Sequence, residues 1–148
     1  MPTVYIAIVL GIAAIWDDLA RRRISNWIPA IAFASGMFLQ YSLHGWRGCL
    51  AGVLGALVGG SVFFLFYLLG GMGGGDIKLM AGFGAMLGAN RILEAALWTA
   101  GCGGIIAAGV ILVRALRRPG PELTRAPDSI PYAPAITAGV WLSLITSY

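Results

Sequence analysis

The sequence predicts an all-α, polytopic integral membrane protein with about six transmembrane helices, folded as a single membrane-embedded domain over residues 1–148. Three observations predict it. Of the 148 residues, 59% are hydrophobic and 11% charged, against an apolar share of roughly 45–50% in soluble domains. Mean hydropathy is +0.84. The apolar residues also come in runs too long for the buried helices of a soluble protein, and short polar stretches divide them. A soluble enzyme with one apolar core is excluded, and the lipid bilayer is the first partner the composition implies.

The elements follow in chain order. The first apolar run, 1–16, is read as a retained span: Arg21, Arg22 and Arg23 follow it, whereas a cleaved signal peptide carries its positive charge in front. The second run is 26–43. The third, 48–69, carries Gly48, Gly52, Gly55 and Gly59 at spacings of three and four, which sets a strip of bare backbone along one helix face and predicts close helix packing. The fourth, 77–89, is short against the ~20 residues of a full crossing, and predicts a short helix in a protein-lined or thinned region. The fifth is 92–113. Residues 114–129, with Pro119, Pro121 and Pro127, read as a polar cytoplasmic loop, and 130–148 is the last span.

Charge orients these spans. Six crossings put odd and even loops on opposite sides, and the odd loops hold Arg21, Arg22, Arg23, Lys78, Arg114, Arg117, Arg118 and Arg125. The even loops hold only Arg47 and Arg91, so the odd loops are expected in the cytoplasm and both termini outside it. The net charge of +4 lies in short loops and not on one basic face, which argues against a nucleic-acid partner. Cys49 and Cys102 both fall inside apolar runs with no CxxC partner, so no zinc site or disulfide framework is signalled; no metal and no organic cofactor is expected.

There are six acids. Glu94 sits near a span start and Glu122 and Asp128 in the polar loop, where all three are read as solvated. Asp17 and Asp18 close the first span and Asp76 opens the fourth, so all three fall at one membrane face. Two carboxylates meeting in a low-dielectric pocket do not readily both ionise. The charged one can take a proton from water while the protonated one donates to a peptide carbonyl, which is the aspartic-protease arrangement. An acid near membrane depth is costly, and function is the default explanation. The plainer alternatives are that Asp76 caps a helix and that an acid at a span end sits among headgroups.

Around Asp76 the chain reads Gly70-Gly71-Met72-Gly73-Gly74-Gly75-Asp76-Ile77-Lys78. Such a run permits tight backbone and leaves no side chain between an extended substrate and the carboxylate. It lacks the spacing of a P-loop or a dinucleotide fingerprint. Gly73-Gly74-Gly75-Asp76-Ile77-Lys78 resembles the GxGD-hydrophobic-Lys motif of the type IV prepilin peptidases. Asp18-Leu19-Ala20-Arg21-Arg22-Arg23-Ile24-Ser25-Asn26 resembles the other motif of that family, with Ser25 in place of a proline. Ile130-Pro131-Tyr132-Ala133-Pro134 is similar to its late Ile-Pro-aromatic-Gly-Pro stretch, with Ala133 in place of glycine.

The resemblance implies an aspartic endopeptidase of the inner (plasma) membrane. Its active site would be at the cytoplasmic face, and it would cleave the leader from prepilin or pseudopilin-like substrates just before a hydrophobic helix. It implies Asp18 and Asp76 as catalytic residues, with Gly73, Gly74 and Gly75 against the substrate. Lys78 is expected to steady substrate or phospholipid charge, the alternative being a lysine that merely faces headgroups. Asp18 is chosen over Asp17 because it stands eight residues before Asn26. Larger family members carry a cytoplasmic insertion with paired cysteines that goes with N-methylation; this chain resembles the compact, peptidase-only form of tight-adherence (Flp-type) pilus systems, and also archaeal preflagellin peptidases. Two other readings stand beside it: a non-catalytic membrane subunit or small proton or cation transporter using the paired acids, and a protease of the same chemistry acting on other transmembrane substrates.

Overall fold

In the computed structural model the described residues are 2–69, 72–116 and 132–146. They form five α-helices: α1 (Pro2–Arg21), α2 (Trp27–Leu68), α3 (Gly74–Leu87), α4 (Ala89–Leu116) and α5 (Ala133–Ile145). Gly70 and Gly71 of the glycine run, the expected loop from residue 117 onward, and Ile130 and Pro131 lie outside the described residues. The helix α4 carries the chain three residues further than the expected span end at Val113, so residues 114–116 are helical.

Six helical segments are nevertheless present, because α2 is two helices joined at a kink. Gly45 there adopts φ 60° and ψ −144°, a conformation that an L side chain resists. The two arms, 27–44 and 46–68, fold back on each other: a Cβ placed on Gly48 would meet the Gln40 carbonyl, although eight residues of uninterrupted helix would hold those positions about 12 Å apart. Three helices, α1, α2 and residues 89–113 of α4, are long and apolar enough to cross a membrane, and α5 is a shorter apolar helix. Large apolar side chains such as Trp16, Phe38 and Leu97 stand outward, each at least 70% exposed. A protein in water seldom presents so broad an apolar surface; one solvated by lipid requires it.

The short helix α3 is the centre of the bundle. Its 14 residues span about 21 Å, less than a full crossing of roughly 30 Å. It compensates by lying inside protein, with Leu79, Met80, Phe83, Ala85, Met86 and Leu87 all buried. Both arms of α2 clasp it at glycines. A Cβ on Gly36 would lie 2.6 Å from the Met86 nitrogen, one on Gly82 would lie 2.8 Å from the Pro29 carbonyl, and one on Gly59 would lie 2.8 Å from the Met80 carbonyl. Gly48, Gly52, Gly55 and Gly59 are all buried, so the strip expected from their spacing is a packing face, as small residues in membrane helices allow. Gly88, at φ 78°, ends α3 and releases α4 in the next residue.

Against this clasp the helices α1, α4 and α5 form the other wall. The Trp141 indole of α5 donates to the Ala7 carbonyl of α1 at 3.2 Å, and the Gly139 face of α5 lies against Ala95 and Thr99 of α4. One apolar core runs through all five helices and includes Leu10, Ile28, Phe63, Phe83, Ile92 and Ile136.

Candidate active site

The helix α1 runs past the apolar stretch to Arg21, so Asp17 and Asp18 lie in its last turn. Arg22 closes that turn with φ 52° and donates its N–H to the Asp18 carbonyl at 2.7 Å. A left-handed backbone at a non-glycine residue costs roughly 1–2 kcal/mol, and here it reverses the chain so that residues 23–26 pass back over the end of α1 and into α2.

The two adjacent acids point different ways. Asp17 accepts the Ser25 N–H at 2.7 Å and lies 3.4 Å from the Arg21 guanidinium, the i,i+4 pair expected of a continuing helix. It is 8% exposed, so it serves as an internal tie for the loop and not only as a headgroup-facing acid. Asp18 turns inward, and its Oδ2 accepts the Ala133 N–H at 3.0 Å. Ala133 opens α5, whose Pro134 occupies an early helical position where a missing N–H costs nothing. The bond therefore joins the end of the first helix to the start of the last, across 115 residues.

Asp76 sits in the first turn of α3, where its Oδ2 accepts the N–H of the N-cap residue Gly73 at 3.0 Å. Asp76 is thus at N3 and holds the glycine run in place, a cap from within the helix. The carboxyl-bearing residues Asp18 and Asp76 line one cavity of about 190 Å³, together with Gly73, Gly74, Gly75 and Tyr132. Arg22, Arg23 and Ile24 complete it. Asp17 is absent from this lining. Both acids are buried, at 7% and 8% exposure.

The glycines of the run differ in their surroundings. Among the described residues, a Cβ on Gly74 would meet nothing within 4 Å, while one on Gly75 would come to 3.2 Å of the Ile24 side chain. The loop after α1 therefore packs directly over Gly75, and Gly74 leaves the approach open. Lys78, expected from its motif near substrate, lies outside the lining; its ammonium donates to Asn26 Oδ1 at 2.9 Å on the exposed surface. That bond joins the two motifs, one ending at Asn26 and the other at Lys78. Among the described residues, no three of His, Cys, Asp and Glu gather as metal ligands would.

Two features of the site carried no assigned role in the sequence reading: the Ala133 N–H that holds Asp18, and Tyr132, which walls the cavity. Their signal was present, since both lie in the Tyr132-Ala133-Pro134 stretch, where an aromatic precedes a proline-initiated helix. The chemistry available to the cavity is that of two buried carboxyl groups, each fixed by a backbone N–H, beside a wall of bare glycine backbone.

Comparison with known proteins finds relatives of one family. The model of the type IV leader peptidase family matches residues 5–108, a range that takes in Asp18, Gly73, Gly74, Gly75, Asp76 and Lys78. A protein of Bacillus subtilis (strain 168) described as a prepilin leader peptidase/N-methyltransferase is 32% identical over 154 residues. That alignment covers 97% of this chain and 55% of the relative, so the chain spans about half the length of the curated relative. No solved structure matches significantly.

Proposed function

The chain belongs to the type IV leader peptidase family, and from that premise we propose that it is a membrane-embedded aspartic endopeptidase that removes the leader from prepilin-like substrates with Asp18 and Asp76. The observation that carries the reading is that Asp18 and Asp76, 58 positions apart in the sequence, line one glycine-walled cavity.

The chemistry follows from two acids sharing a proton. The ionised carboxylate takes a proton from water as the water oxygen attacks the peptide carbonyl, and the protonated carboxyl gives its proton to the carbonyl oxygen. Collapse of the tetrahedral adduct breaks the C–N bond as one of its hydroxyl protons returns to the ionised carboxylate, and the departing amine takes a proton from the protonated one. The backbone at Gly73, Gly74 and Gly75 is the surface against which an extended substrate lies; the open space beside Gly74 supports this. Lys78 acts at the rim, holding the α2 start through Asn26 and presenting positive charge to substrate or phospholipid.

The finer assignments are part of the same proposal. The site faces the cytoplasm from the inner membrane, supported by Arg21, Arg22 and Arg23 at the cavity's end of the bundle. Flp-type prepilins are the first substrates to test. Methylation of the new terminus is not assigned to these residues: the two cysteines, Cys49 and Cys102, are free and lie on α2 and α4.

One experiment tests the whole reading. The purified chain in detergent or vesicles is incubated with a Flp-type prepilin and a methyl donor, and the new N-terminus is mapped by mass spectrometry. Cleavage with an unmethylated product is expected. Asp76→Asn is expected to abolish cleavage while leaving the amount of folded protein unchanged, because the amide is nearly isosteric and its oxygen still accepts from Gly73, yet it cannot exchange a proton. Undiminished cleavage by this variant would reduce Asp76 to a helix cap.

A further inference from the structure

Beside the carboxyl cavity lies a second hollow of different chemistry. It measures about 200 Å³ and lies between the end of the second α2 arm and the middle of α4. Phe63, Phe66 and Met72 form one side, and Ala100, Gly103 and Gly104 of α4 the other. Tyr132 lines both this hollow and the carboxyl cavity, and Met72 immediately precedes the Gly73 of the cavity wall. Phe63 and Phe66 make an edge-to-face pair with ring centroids 6.3 Å apart, a rigid apolar wall. The volume falls below the roughly 300–1,000 Å³ typical of a small-molecule site. It suits side chains projecting from a helix laid against the protein.

The hollow is also open where an incoming helix would have to approach. Among the described residues, a Cβ on Gly104 would meet no atom within 4 Å, so the backbone of α4 is bare there. Bare backbone lets a second membrane helix come close, and the Gly55 and Gly84 pair inside the bundle shows what such a site looks like when it is filled. Because Tyr132 lines both, a chain leaving the carboxyl cavity past Tyr132 enters this hollow.

We propose that the hollow walled by Phe63, Phe66, Gly103 and Gly104 is the docking groove for an apolar membrane helix of the substrate adjoining the scissile bond, with Tyr132 as the divide between the reacting segment and the docked one. The proposal rests on the peptidase reading. It makes Gly104 a specificity-determining position: substrate is selected by a helix held in the bilayer as well as by the residues at the cleaved bond.

The test uses the full chain reconstituted in vesicles and two substrates: an intact prepilin, and a soluble peptide that spans the cleavage site but stops before the apolar segment. Gly104→Leu places a side chain in the groove. It is expected to lower the ratio of kcat/KM for prepilin over peptide by about tenfold or more, the scale on which a hydrophobic pocket discriminates. Gly109→Leu is the control. It lies on the same helix, its Cβ also meets nothing within 4 Å, and it does not line the groove; the ratio is expected to hold. As a second measurement, a photo-crosslinking side chain at Ala100 should capture prepilin, and one at Leu97, outside the groove, should not. An unchanged ratio in Gly104→Leu, equal loss in Gly109→Leu, or capture from Leu97 alone would overturn the groove while wild-type cleavage keeps the peptidase reading intact. Failure of the wild type to cleave either substrate would overturn both.

Discussion

Adjacent residues of an α-helix project about 100° apart, and the last turn of α1 puts that angle to use. Asp17 turns to Ser25 and Arg21, while Asp18 turns to Ala133 and the cavity it shares with Asp76. The two side chains are therefore expected to fail differently. Asp18→Asn, which can still accept from Ala133, should lose cleavage by the ~10²–10⁴-fold typical of removing a general acid or base, or by more if the pair acts as a unit. Asp17→Ala should keep most activity and lower the thermal midpoint, because the Ser25 N–H loses its acceptor and the loop over Gly75 loosens. Steady-state cleavage of one prepilin and thermal unfolding of each variant check both. In the sequence the register to Asn26, eight residues past Asp18, chooses between the two acids, and the structure puts Asp18 and not Asp17 in the lining of the cavity with Asp76. What each acid is bonded to was not legible there. The Ser25, Ala133 and Asn26 contacts join residues 8, 115 and 52 apart, and no local pattern encodes a hydrogen bond across such separations.

At the scale of elements, glycine spacing was the most informative signal. The strip on the third apolar run announced close packing, and the short fourth run announced a helix sheltered by protein; α3 inside the α2 hairpin is both at once. The sequence could not say which helix would meet the strip, since a bare face accepts any partner of the right shape. The tightest meeting of the strip with α3 is between Gly55 and Gly84, where a Cβ on either residue would strike the other's carbonyl. No side-chain rotation relieves a contact with backbone. Gly55→Ala is therefore expected to destabilise by at least the ~1–3 kcal/mol usual for overpacking. Gly60→Ala is the counterpart five residues further along the same helix: its Cβ would sit 3.5 Å from Ala81 Cβ, an ordinary contact. It should be neutral or slightly stabilising, since alanine is the better helix former. Thermal unfolding of both variants in one detergent measures the contrast. The Gly45 break lies within the polar interruption between the second and third runs, but its backbone angles do not follow from composition.

For the whole molecule, the two ends of the bundle carry different charge, and the structure establishes which residues share an end. Asp18, Arg22, Gly73, Asp76 and Tyr132 gather at one end. Pro2, Thr3, His44, Gly88, Asn90 and Arg91 line a separate cavity of about 500 Å³ at the other, where Ser143 near the end of α5 donates to the Arg91 carbonyl at 3.2 Å. Helix ends therefore alternate as six crossings require, with the start of α1 and the end of α5 both away from the carboxyl pair. Arg21, Arg22, Arg23 and Lys78 belong to the carboxyl end, while Arg47, just past the α2 kink, and Arg91 belong to the other. Since short loops rich in Lys and Arg stay in the cytoplasm, the carboxyl end is expected to face the cytoplasm and both termini the opposite side. Cysteine labelling measures this directly. With Cys49 and Cys102 replaced by Ala, a single cysteine at Ser147 should react with a membrane-impermeant maleimide from outside the cell, and one at Arg23 only after the membrane is opened. The reverse pattern would place the carboxyl pair on the outer face, and any protein cleaved by it would then have to present its scissile bond there.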